Sequence, residues 1–142
     1  MVDVENAEKL MGRFGGWPSF YEATLLDLVI SGEPGKDCSA EIEARVPANE
    51  GRRDRGGPSV LEHPTHVVLR FEGIGWRHDL EGVECPDTLF EVQISAFRPE
   101  DDDGCSIEVV LTMTRDGHDG FFCCKHALVV EVEPLGGGEP TQ

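Results

Sequence analysis

His63 and His66 stand three residues apart, a spacing that on a helix would turn two imidazoles toward one zinc ion. Pro64 lies between them and argues against a helix there. The acid run Glu100, Asp101, Asp102, Asp103 ahead of Gly104 offers oxygen ligands of the kind calcium takes. It lacks the alternating ligand positions and the closing glutamate of a calcium-binding loop, so it reads as a solvated hairpin turn. Asp116, His118 and Asp119 fall in RDGHDG, where Asp and Gly are ordinary turn formers. The stretch from Gly12 to Gly16 (GRFGG) follows no strand and has no lysine to hold a phosphate, so no nucleotide cradle is expected. The five cysteines, Cys38, Cys85, Cys105, Cys123 and Cys124, are an odd set without a C-x-x-C pair. Adjacent Cys123 and Cys124 would point to opposite faces of a strand, and all five read as reduced core thiols. No catalytic residue, no metal and no cofactor is expected from these spacings.

The elements around these residues are mostly strands. Residues 3 to 14 place Ala7, Leu10, Met11 and Phe14 on one helical face, with Asp3 as a possible cap and Gly15-Gly16 as the stop. After that the apolar period becomes two. It predicts inward Leu26, Leu28 and Ile30; Ala40, Ile42, Ala44 and Val46; and Val67, Leu69 and Phe71. The same alternation continues through Phe90, Val92, Ile94 and Ala96, through Ile107, Val109, Leu111 and Met113, and through Leu128, Val130 and Val132. A further short strand is expected within residues 76 to 80. Short turn-rich connections favour antiparallel neighbours. The expected fold is therefore mainly β, an antiparallel meander curled into a sandwich or partly open barrel, with one short N-terminal helix. A single domain over residues 1 to 134 is expected, interrupted by a long loop at 47 to 64 with three prolines and three glycines. Residues 135 to 142 read as a disordered Gly/Pro-rich tail.

Charge narrows the class of partner. The formal net charge is −16, which excludes a conventional phosphate-backbone binder, so no nucleic-acid ligand is expected. Residues 1 to 78 hold 9 basic and 13 acidic side chains, whereas residues 79 to 142 hold 3 and 15. The second half carries the stronger negative field, suited to steering a basic partner. Glu41, Glu43, Glu72, Glu91, Glu108, Glu131 and Glu133 alternate with the inward apolar residues and are expected on the outer faces. Partner binding is expected at Glu91, Glu108, Glu100, Asp101, Asp102 and Asp103. The start of the chain carries acids where a secretory signal needs bases, and no apolar run reaches eighteen residues, so no membrane partner and a cytoplasmic location are expected.

One segment is not generic: FGGWPSFYEA, Phe14 to Ala23, in which Trp17, Phe20 and Tyr21 flank Pro18-Ser19 just before the first strand. Its residues are those of a corner that plugs the end of a β core, with Trp17 and Phe20 buried and the Tyr21 hydroxyl hydrogen-bonded. The segment also resembles the start of the immunity protein 50 family of bacterial polymorphic toxin systems, a Trp-Pro-Ser-Phe motif followed by His-Asp-Ala. Trp17, Pro18, Ser19, Phe20 and Ala23 match it, and Tyr21 and Glu22 replace the His and Asp. The segments from His66 to Ile74 and from Gly120 to Pro134 are similar to the family's later strands. The resemblance implies an immunity protein that binds the C-terminal domain of a cognate bacterial toxin, with no catalytic residues to transfer. From the acidity, that toxin is expected to be a basic enzyme such as a nuclease. The alternative reading is a small-ligand-binding β-barrel protein without catalytic activity, which would need polar residues facing inward, and the strands supply almost none.

Overall fold

The computed structural model describes residues 4–18, 20–33, 37–47, 63–75, 78–80, 83–96, 106–113 and 119–135, with the backbone alone at 78, 79 and 119. One α-helix, α1 (Ala7–Phe14), precedes eight strands: β1 (Thr24–Ser31), β2 (Ser39–Val46), β3 (Thr65–Glu72), β4 (His78–Asp79), β5 (Asp87–Ala96), β6 (Ile107–Met113), β7 (Asp119–Cys124) and β8 (His126–Pro134). They form one antiparallel sheet in the order β4-β7-β6-β5-β1-β2-β3-β8.

The sheet bends because its two halves share a short seam. β1 and β5 pair only through Thr24 with Thr88 and Leu25 with Asp87. Beyond that seam the halves β1-β2-β3-β8 and β5-β6-β7-β4 splay and fold over a common core, where the Phe71 ring of β3 meets Phe122 of β7 edge-on at 5.1 Å. The two halves are also tied covalently at their far ends, since β7, the neighbour of the edge strand β4, passes into the other edge strand β8 through Lys125 alone, whose N–H donates to Glu72 O at 3.0 Å. No ladder joins β8 to β4 among the described residues, so the curled sheet remains open.

α1 packs against β8 and the core. Leu10 and Phe14 are buried in the core, while Met11 is exposed against expectation. Its N-cap is Asn6 in a left-handed conformation (φ 61°), and the proposed cap Asp3 lies outside the described residues. Gly15 closes the helix at φ 78°, a region glycine enters without steric cost, and its N–H donates to Met11 O at 2.8 Å. Arg13 Nε donates to Thr65 Oγ1 at 2.8 Å and so satisfies the one buried polar side chain among the described residues. Just before the helix, Glu5 bridges Leu128 in parallel and covers part of the β8 edge.

Alternation holds for β2, β3 and β6, whose expected inward residues are all buried. It fails in β1, β5 and β8, each of which carries a register shift that inserts a residue and inverts the facing pattern. In β1 the buried residue is Leu25, Leu28 packs partly against the core, and Ile30 is exposed. In β5, Leu89 turns inward and Phe90 outward, after which Val92 and Ile94 face the core again. In β8, Ala127 and Val129 are buried and Val130 is exposed, before Val132 returns to the core. Leu135 donates its N–H to Pro64 O at 2.8 Å and is tied down rather than part of a free tail. Residues 48–62 of the expected loop and 136–142 of the expected tail lie outside the described residues.

Candidate functional site

The corner between α1 and β1 is built from two backbone residues in unusual conformations. Phe20 and Glu22 have φ of 66° and 67°, a region that bulky L residues adopt only where the surroundings over-determine them. Here the surroundings do so: the Phe20 ring is buried in the core, Glu22 N–H donates to Leu89 O at 2.9 Å, and Leu89 N–H donates to Ala23 O at 2.8 Å. With Phe20 turned in, Tyr21 is turned out. Tyr21 is 40% exposed, and its ring meets that of Phe90, a residue 49% exposed, edge-on at 5.4 Å and 84°.

Beside this pair, Trp17 and Pro18 line a cleft of about 280 Å³ with Val4 and the β5 residues Glu91, Val92, Gln93 and Ile94. Trp17 is half-buried and touches Phe20 edge-on at 6.3 Å, so the expectation of a fully buried indole is corrected. The reason is the cleft, which leaves one side of the ring without neighbours to pack against. The matched motif therefore divides by role: Pro18, Phe20 and Ala23 are buried, Trp17 borders the cleft, and Ser19 lies outside the described residues.

Of the acids expected to bind a partner, Glu91 is exposed and lines the cleft. Glu108 on β6 is half-buried and pairs in register with Ser95 and Cys123, whereas Glu91 pairs with Thr112. At 3.3–3.4 Å per strand residue the two stand roughly 13 Å apart along β5, so the fold does not gather them into one cluster. Glu100, Asp101, Asp102 and Asp103 lie outside the described residues, as do Asp116, His118 and the Asp119 side chain.

The outer face of β2, β3 and β8 is charged in a different way. Arg70 Nε donates to Glu72 at 2.9 Å and Nη1 to Glu41 at 3.2 Å, and these bonds, that to Glu72 first, push the guanidinium pKa up. His66 lies between carboxylates, with Nε2 3.2 Å from Glu43 and Nδ1 3.5 Å from Glu131. His66, Glu131 and Glu133 each present a ligand atom within 4.8 Å of the others. Sequence spacing could not show this group, because its members are cross-strand neighbours on β3 and β8 and far apart in the chain. The usable signal is the alternation, which puts Glu131 and Glu133 on the outer face and, by the inward Val67 next to it, His66 as well. His63 takes no part in the group, and its carbonyl accepts from Arg13 at 3.2 Å.

Among the thiols, Cys38, Cys123 and Cys124 are buried as expected, Cys85 is exposed, and Cys105 lies outside the described residues. Burial, aided by neighbouring Cys123, pushes the Cys124 thiol up to about 12. Desolvation, then Asp27 and Asp87, raise that of Cys85. The two thiols stay protonated at neutral pH and are poor nucleophiles there. No helix among the described residues is long and apolar enough to cross a membrane. Comparison with family models, curated proteins and solved structures returned no match.

Proposed function

We propose that this chain is an immunity protein that binds and neutralises the C-terminal domain of a cognate bacterial toxin in the cytoplasm of the producing cell, acting as a stoichiometric inhibitor and not as an enzyme. The observation that carries the reading is the Tyr21–Phe90 pair, two large aromatics held edge-to-face at the surface and bordered by the exposed acids Glu22 and Glu91. Aromatic anchors of this kind dominate the energetics of protein–protein interfaces, and folding alone gains little from leaving them in water. Backbone strain at Phe20 and Glu22 supports the same reading, because left-handed non-glycine residues concentrate where a side chain must be presented. The net charge of −16 supports a basic partner such as a nuclease, whose phosphate cleft carboxylates can fill.

The toxin domain encoded beside this gene is the test. Titrated against the full chain, it is expected to bind tightly to the wild type and at least about 30-fold more weakly to the Tyr21→Ala/Phe90→Ala double variant, the loss of one anchor of 2 kcal/mol or more. Changing Glu100, Asp101, Asp102 and Asp103 to Asn or Gln should slow association, most at low salt. An affinity that ignores the aromatic pair removes this surface from the mechanism, and a toxin domain that does not bind at all removes the immunity reading.

A further inference from the structure

The geometry points to a divalent transition-metal site on the outer face of the sheet, with His66 Nδ1, Glu131 and Glu133 as ligands and Glu43 as the residue that orients the imidazole. The site stands apart from the proposed toxin surface and does not depend on it.

The strands set the arrangement. In register, His66 lies between Arg45 of β2 and Glu133 of β8, and one row further on Val68 lies between Glu43 and Glu131. The imidazole at the centre is held from both sides. Nε2 stands 3.2 Å from Glu43 and Nδ1 3.5 Å from Glu131, so the ring presents Nδ1 to the β8 carboxylates. A divalent cation held there would offset the negative charge of Glu43, Glu131 and Glu133, which Arg45 of the same row answers only in part.

Metal-bound histidines commonly donate their other ring N–H to a carboxylate, which fixes the tautomer and raises ligand basicity, and Glu43 is placed for this role. One imidazole with two carboxylates suits zinc or a neighbouring first-row ion, whereas calcium and magnesium take oxygen ligands. Zinc–ligand lengths of about 2.0–2.2 Å require donor atoms about 3.3–3.5 Å apart in a tetrahedral site. The three atoms now lie within 4.8 Å of one another, and Glu131 and Glu133 extend from half-buried and exposed positions where their carboxylates can swing inward. The protein supplies three ligands, which leaves a fourth position for water or for a group on another molecule.

Zinc ion titrated into the full-length chain by calorimetry tests the site. A Cys85→Ser/Cys105→Ser background removes as competing ligands the thiol exposed among the described residues and the one outside them. One equivalent of zinc is expected, with binding lost in Glu131→Gln, Glu133→Gln and His66→Gln and weakened about 10- to 100-fold in Glu43→Gln. These positions are on the outer face, so the metal-free variants should melt with the parent, and zinc should raise the melting temperature of the parent, raise that of Glu43→Gln less, and leave the three ligand variants unchanged. Cobalt in place of zinc should give a spectrum without thiolate charge-transfer absorption. Equal affinity in Glu131→Gln, a thiolate band, or no saturable heat in the parent would each overturn the site.

Discussion

The outer face of β2-β3-β8 and the corner at Tyr21 are both half-open surfaces, yet they handle exposure differently. On the first, Arg70 and His66 are each set between two glutamates, so each of these acids has a partner within the molecule even where a surplus of negative charge remains. At the second, two aromatic rings are left in water and held there by strained backbone. Net charge alone would have directed attention to the acids. The difference teaches that exposed apolar area with a rigid mount is a stronger mark of a binding surface than charge that already has partners.

The sharpest way to break this contrast lies inside one motif. Phe20→Ala removes a buried ring and should cost about 3–5 kcal/mol in chemical denaturation, because no neighbour can refill the space. Tyr21→Ala, one residue along, should cost far less stability and show its effect on toxin affinity instead. Equal stability losses would make Tyr21 a packing residue and dissolve the proposed surface. Trp17→Ala should fall between the two, since its ring is only half-buried.

The interior gives a second handle. Cys124, with its thiol raised from the ordinary 9.0 to about 12, holds its proton more tightly in the folded chain than in the unfolded one. Its contribution is complete below pH 9 and is lost as the pH climbs toward 12, because the unfolded thiol ionises first. Stability should fall by up to about 1.4 kcal/mol per pH unit over that window, and Cys124→Ala should flatten the curve. Identical alkaline slopes for the two proteins would show that Cys124 is not shielded as described.

The smallest effect is expected where the charges are already paired. Arg70→Met should change stability by no more than about 1 kcal/mol, since the guanidinium and both glutamates are more than a third exposed. A larger loss would mean that the charged face, and not the corner, is the part of the molecule under tightest constraint.

The fold class, a short N-terminal helix within residues 3 to 14 and the inner faces of β2, β3 and β6 were legible in the chain, because unbroken alternation leaves one way to bury Ile42, Leu69 and Val109, while the helix start at Ala7 came from the structure. Three further things were decided only by the tertiary structure. Bulges inverted the facing pattern at Leu25, Leu89 and Val129, and a bulge responds to the register of a partner strand rather than to local composition. The pairing of Tyr21 with Phe90 arose because the short β1–β5 seam brings residues far apart in the chain side by side. The His66–Glu131–Glu133 group formed because β8 returns to lie against β3, a long-range pairing whose identity no spacing in the chain encodes.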